Sequence, residues 1–487
     1  MRISMKMRHL LSAAMALGLA TDGAYAQPKY GSLNEQDFQK VVEQIKADPT
    51  LLAKQKDLTY QLTTQQWQAL IKSEDLDEFT WVYPAVVKGK DAPALQGKKI
   101  DELSVMSVRG GKLVPIPYQI DEKDKNGWVF VKGVSEAAID GTEGIMDTAD
   151  ELVFMYRDTG TDRYNAGSMK LEGGKILQEL TFQYGGKKRY AYVVSGSSQR
   201  NSVQYVHYND QTRVSDSTFY TFTQSKDNLL MFKDFKAHAG PTPQHRVLDT
   251  VILDLSTGVI MPWPRVSITL SNLQARLLGI KHGPVRNVLL ANIVVVVAKI
   301  PVFYIRTDFT IYDQGIGLPV KLHIPGGEIL TRVLNKPIIN IGLDMHDLKG
   351  GRFGAAVNPT GQFGKIDGQM SEVEKKMAIR VPDKNWLWLD SGRGWDVVMQ
   401  VKIPPDWPVE AKLLYEDAVK PEKHYDEEDF PDALPRMGVT VTKLPVGKLD
   451  INLGALFWFP ATVGEGGPEA FTKAMDNPPT VTASNGS

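Results

Sequence analysis

Apolar positions change their period part-way along the chain. From Ser32 to about Ser73, Phe38, Val41, Val42 and Ile45 recur every three or four residues behind the capping residues Ser32 and Asn34. Thr63 with Gln66 makes the pattern of a capping box ahead of Trp67, Leu70 and Ile71. This predicts a helical prelude, divided at Pro49. From about Trp81 the period becomes two: Val114, Ile116, Tyr118 and Ile120 alternate with Pro115, Pro117 and Gln119, Glu122 to Gly127 reads as a turn, and Trp128 to Val134 resumes the extended pattern. Further strand-like runs are Glu151 to Tyr156, Leu177 to Gln183, Arg189 to Val194, Ser217 to Thr223, Val247 to Leu255 and Val266 to Leu270. The most apolar stretch contains Ile293 to Val297, whose β-branched side chains suit a pleated surface better than a helix, and it predicts strands at Val285 to Ala298 and Val302 to Tyr312.

After the glycine-rich region Gly350 to Gly368, strand-like runs return at Met377 to Val381, Trp386 to Leu389, Trp395 to Ile403, Ala411 to Tyr415 and Leu449 to Phe459. Pro421 to Pro435 is acidic and proline-bearing, hence a loop. No long helical segments alternate with the strands, so the expected fold is mainly β, with β-sandwich-type domains and a short helical N-terminal segment. The expected layout is a signal peptide over 1–26, helices over 27–80, a large β-sandwich over 81–350, a second β-rich unit over 351–464 and a flexible tail over 465–487.

Arg2, Lys6 and Arg8, the apolar run Leu10 to Ala20, and Ala24-Tyr25-Ala26 before Gln27 form the tripartite pattern of a secretory signal cleaved after Ala26. The run falls short of the roughly 20 residues that a membrane span needs. The expected location is periplasmic or secreted, with no transmembrane segment left after cleavage. The formal charge is −1, and removing three basic residues and one acidic from 1–26 makes it −3. A near-neutral chain without basic runs argues against nucleic acid as a partner. Cys is absent, which excludes thiol catalysis and thiolate-bound metals.

Two carboxylate-rich segments suggest a hard cation, Ca²⁺ being the natural candidate: Asp121, Glu122, Asp124 and Asn126, and then Asp140, Glu143, Asp147 and Asp150. Neither completes a twelve-residue calcium loop. With Glu122 first, Gly133 stands where the bidentate carboxylate belongs; Glu151 is twelfth from Asp140, but the middle ligands are weak. The phrases Gln119-Ile120-Asp121-Glu122 and Asp150-Glu151-Leu152-Val153-Phe154-Met155, with the acidic glycine loop between them, resemble a set of uncharacterised secreted bacterial β-rich proteins with no assigned activity. The resemblance covers Pro115 to Asp158 and extends to Gly283-Pro284-Val285-Arg286 and Tyr415-Glu416-Asp417. It implies a secreted β protein with an acidic loop of calcium-binding type, which Asp140, Glu143, Asp147 and Asp150 match in part, and it leaves function open.

Gly283 to Arg286 is also similar to a phrase in β-sandwich carbohydrate proteins of the mutarotase and polysaccharide-lyase type. That similarity implies Arg286 as a clamp on a uronate carboxylate, with His282, His323 or Tyr304 moving the proton. Asp344, His346 and Asp347 make a compact group of metal-type ligands that needs partners such as Asp249, Asp254 or His245. Trp386 and Trp388 share a strand face and, with Trp395 and Trp407 near in sequence, offer a platform for sugar rings. No GxSxG, phosphate-loop or HExxH pattern occurs. Three readings follow. The first is a non-catalytic binding protein for a glycan, envelope polymer or other envelope component, calcium-stabilised, for which Trp386 and Trp388 must be exposed together. The second is a carbohydrate-active lyase or epimerase, for which Arg286, His282 and Tyr304 must converge. The third is a structural or assembly partner of an envelope protein, for which the N-terminal helices must show an exposed apolar face.

Overall fold

The spacing at the N-terminus becomes helix Glu35–Ala47, which begins where Asn34 Oδ1 accepts the Asp37 N–H at 2.9 Å. Helix Thr64–Ser73 begins at a complete capping box: Thr63 Oγ1 accepts the Gln66 N–H at 3.2 Å, and Gln66 Oε1 accepts the Thr63 N–H at 3.0 Å. Phe38, Val41, Val42, Ile45, Leu70 and Ile71 are all buried. Trp67 meets Trp81 and Phe219 edge-on, with ring centroids 6.1 and 5.8 Å apart. The apolar face of the helices is therefore covered by the body, which removes the exposed docking face that the assembly reading required.

These features come from a computed structural model, which describes residues 30–241, 245–297, 300–324, 334–405, 409–443 and 449–486. The chain is mainly β, in several antiparallel sheets behind the helical segment. A nine-stranded sheet runs in the order Leu273–Lys281, Arg286–Val297, Ile300–Tyr312, Gly315–Ile324, Leu449–Trp458, Asp396–Lys402, Trp386–Asp390, Arg352–Ala355, Gly364–Lys365. A five-stranded sheet runs Arg265–Thr269, Leu248–Val259, Leu334–Met345, Ala433–Lys443, Glu410–Ala418. Side chains of both meet in the main core, where Leu248, Leu343 and Met345 of one face Ile316, Val397 and Phe457 of the other. The void between them is about 30 Å³ and lined by apolar side chains, too small for a drug-sized or sugar ligand.

The valine-rich stretch forms the long hairpin Arg286–Val297 and Ile300–Tyr312, in one register from Arg286↔Tyr312 to Val295↔Phe303 and shifted by one residue at Val296↔Pro301 and Val297↔Ile300. Among the described residues no helix is long and apolar enough to cross a membrane. Strands from both sides of residue 350 share the nine-stranded sheet, so the boundary expected there runs through one hydrogen-bonded unit. Trp128 to Val134 is not a strand: it closes a turn-rich loop, with the Val129 N–H donating to Asp308 Oδ2 at 2.9 Å. Met377 to Val381 makes only isolated bridges.

Residues 465–487 were expected to be a flexible tail, and the described part is ordered instead. Helix Gly467–Asp476 buries Phe471 against Phe79, 5.8 Å between ring centroids, and Thr480–Asn485 pairs antiparallel with Lys175–Tyr184. A strand that closes a sheet edge needs few apolar side chains of its own, so polar composition did not preclude order there. The tryptophan platform fails for the opposite reason. Trp386 and Trp388 are 8% and 2% exposed, and Trp395 is buried as well. The Trp388 indole N–H donates to the buried Asp396 Oδ2 at 3.0 Å. Trp407 lies outside the described residues.

Candidate functional site

The phrases that carry the family resemblance meet in space around Arg286. Strand Tyr118–Asp121 pairs with Glu151–Met155 so that Asp121 lies opposite Glu151. Arg286, 5% exposed, reaches Asp121 Oδ2 from Nε at 2.8 Å and Glu151 Oε2 from Nη2 at 2.7 Å, and Nη1 lies 3.2 Å from the Tyr312 hydroxyl. Gln119 ties the pieces together: its Oε1 accepts the Val285 and Arg286 N–H groups at 3.1 and 2.9 Å, and its Nε2 donates to Asp121 at 2.9 Å. A Cβ at 283 would stand 2.1 Å from Gln119 Oε1, so any larger residue there must push this amide out of its hydrogen bonds. Burial pushes the Glu151 carboxyl up, but the charges of Arg286 and Lys123 outweigh it and hold the group below the usual carboxylate range. The guanidinium is fully engaged by the protein's own groups. It acts as a clasp between the three-stranded sheet Pro84–Lys88, Glu151–Met155, Tyr118–Asp121 and the nine-stranded one.

The other two residues of the catalytic expectation do not join it. His282 turns to Asp210 Oδ1 at 3.1 Å and Asn287 Oδ1 at 3.2 Å. Tyr304 is 60% exposed and pairs with Val294, eight residues along the strand from Tyr312, or about 26 Å at 3.3 Å per residue. The His323 side chain lies outside the described residues.

The two acidic segments do come together, through the bridge Asp124↔Ile139 and the Lys123 N–H donating to Asp150 Oδ1 at 3.3 Å, but most of their oxygens face backbone donors. Asp124 Oδ1 accepts from Asn126 and Trp128 N–H at 2.9 and 3.0 Å, Glu122 Oε1 from Gly144 at 2.6 Å, Asp147 Oδ1 from Ala149 at 2.8 Å, and Asp150 Oδ2 from Asp147 at 2.8 Å. Glu143 pairs with Lys132 at 2.9 Å, and Asp140 joins the loop through its backbone N–H to Lys123 O. Burial, with Asp147 and Glu122 nearby, pushes Asp150 up to about 6. Among the described residues no group of three or more metal-type side chains is arranged to hold an ion. The set reads as turn-closing carboxylates and does not fit the calcium shell expected of it.

Asp344, His346 and Asp347 diverge. Asp344 is fully buried and accepts from Arg436 Nε at 2.6 Å, inside a cluster in which Arg436 also meets Glu416 at 3.0 Å and Glu428 at 2.7 Å. Burial, reinforced by Glu428 and Asp249, outweighs Arg436 and pushes the Asp344 carboxyl up to about 8. His346 lies 3.0 Å from Asp432 and stacks on Phe430, while Asp347 pairs with Arg393. Asp249 caps the backbone of Asp429 and Phe430, Asp254 pairs with Lys423, and His245 is exposed.

The surface offers one feature of another kind. The hairpin joining Leu248–Val259 to Arg265–Thr269 exposes Val259 (47%), Ile260 (74%), Met261 (62%) and Trp263 (74%) together. Val266 and Ile338, on the strands flanking Leu248–Val259, are also exposed. At 3.3 Å per residue the tip stands about 36 Å from Leu248 in the core. It is rigidly built: Asn335 Nδ2 donates to Ile260 O at 3.0 Å, the Met261 N–H to Val259 O at 2.7 Å, and Arg265 to Ser256 Oγ at 2.7 Å. Ile260 holds φ +64°, a conformation that costs a β-branched residue about 1–2 kcal/mol. Exposed apolar area and a left-handed isoleucine both work against the free fold.

No family model and no curated protein matches the chain. Among solved structures it is similar to the protein of "Crystal Structure Analysis of HI1317", at 7% identity over 53% of this chain and 97% of that one. The TM-score of 0.28 gives that likeness no weight.

The apolar tip has a signal in the sequence that strand periodicity alone does not bring out. Val259-Ile260-Met261-Pro262-Trp263-Pro264 sits where two strand-like runs require a turn, and turns are normally polar.

Proposed function

We propose that the protein is a non-catalytic binding protein of the space outside the cytoplasm, which engages a component of the cell envelope through the apolar hairpin at 259–266. The N-terminal pattern supports export, and the dispersal of Arg286, His282 and Tyr304 removes the ground for the lyase or epimerase reading. The observation that carries the proposal is the joint exposure of Ile260, Met261 and Trp263 on a hydrogen-bonded tip. Monomeric proteins seldom keep such a contiguous patch without a partner for it. The test is sedimentation of the purified chain with isolated bacterial envelopes. Wild type is expected to sediment, and the Ile260→Ser/Trp263→Ser variant, at unchanged melting temperature, to stay at least about tenfold more in the supernatant, since buried aromatic anchors dominate such contacts. Equal sedimentation of the two forms would refute the proposal.

A further inference from the structure

We infer that the partner of the hairpin tip is the interface of an anionic lipid bilayer, an inference that rests on the binding role proposed above and names its target. Three observations select lipid over a protein groove. The first is the order of chemistry along the hairpin. Val259, Ile260, Met261 and Trp263 lead, while Arg265 and the exposed Lys336 stand immediately behind them. Segments that rest in a membrane interface show this sorting, with apolar side chains among the acyl chains, Trp at the boundary and cations at the headgroups.

The second observation is charge. From Leu255 to Val297 the chain carries no Asp or Glu, whereas Arg265, Arg276 and Lys281 lie in that stretch. Lys336 has no ion-pair partner among the described residues, and Arg265 is held by Ser256 and the Lys336 carbonyl rather than by a carboxylate. Arg265 and Lys336 at the base of the tip thus complement phosphate headgroups.

The third is size and backbone satisfaction. The tip side chains expose on the order of 500 Å², less than the roughly 800 Å² per partner of a stable protein interface. At the turn, Asn335 and the Met261 N–H close off the Ile260 and Val259 carbonyls internally, which matters most in a medium that offers no water to hydrogen-bond.

The test uses the purified chain with sedimenting vesicles of phosphatidylcholine alone or mixed with phosphatidylglycerol. Wild type is expected to bind the anionic vesicles about tenfold or more tightly than the neutral ones at low salt. K336E should lower the anionic affinity about fivefold or more, and Ile260→Ser/Trp263→Ser should lower it at least tenfold on both lipids, with melting temperatures unchanged. Lipids brominated on the acyl chain should quench part of the wild-type tryptophan emission, and W263F should lose that part. A chain that sediments with envelopes through its tip but binds neither vesicle would overturn the lipid target and leave the binding role standing. A chain that binds neither envelopes nor vesicles would overturn both.

Discussion

Replacing Arg286 by methionine tests whether that residue is a clasp or a free substrate-binding cation. The change removes three short contacts to carboxylates, Nε to Asp121 at 2.8 Å and Nη2 to Asp121 and Glu151 at 2.7 Å each, while roughly preserving volume. Asp121 is fully buried and keeps only the Gln119 amide, whereas Glu151 keeps Lys123 at 3.0 Å. Leaving a buried charge uncompensated costs about 3–5 kcal/mol, so a loss of that size is expected in urea unfolding at pH 7. The double variant Arg286→Met/Asp121→Asn should recover at least half of it, because the stranded charge rather than the missing guanidinium carries the cost. The loss should also shrink in acid. In the wild type Glu151 titrates below its ordinary range, so its contribution is present at neutral pH and fades as pH falls through the folded-state value. Without Arg286 the effect of burial on Glu151 prevails, and protonation relieves the variant. A loss under about 1 kcal/mol at pH 7, or a double variant no better than the single, would refute the clasp.

Asp344 supplies a titration of opposite sign. Its folded-state value, pushed up to about 8, lies above that of the unfolded chain, so its contribution is full below about pH 4 and is lost as pH rises through about 8. Asp344→Asn should therefore gain on wild type between pH 5 and pH 8, by up to about 1.4 kcal/mol per pH unit, read as urea midpoints at both values; a gap independent of pH would contradict this. Trp388→Ala should lower stability by about 3–5 kcal/mol and Trp388→Phe by only about 1–2, the share of the indole hydrogen bond to Asp396. An alanine variant as stable as wild type in thermal and urea unfolding would place Trp388 at the surface after all.

Local regularities were legible in the chain and long-range pairings were not. The helix at Glu35–Ala47 and the hairpin at Arg286–Tyr312 each follow from the side-chain period of a dozen residues. Strand Ala433–Lys443 was hidden because its start overlaps a proline-bearing acidic segment, and only its neighbours Leu334–Met345 and Glu410–Ala418 fix it as interior. The phrases around Gln119 to Glu122 and Asp150 to Met155 are distinctive in the sequence, but the sequence does not show that they meet at Arg286. Asp121, Glu151 and Arg286 stand far apart in sequence, and charge alone does not tell a ligand set from an ion cluster that joins sheets. The tryptophans misled for a related reason: a period of two places Trp386 and Trp388 on one face without saying whether that face meets water.

The pairing of Thr480–Asn485 with Lys175–Tyr184 sets a clock on assembly. The hydrogen bond from Gln178 to Ser484 spans 306 residues, so the earlier strand emerges long before the segment that shields its margin. A polypeptide made in vectorial order must hold that margin open throughout, vulnerable to association with other copies until the late segment arrives. Maturation of this sheet is therefore tied to completion of the chain, and a holdase has its clearest task in that interval.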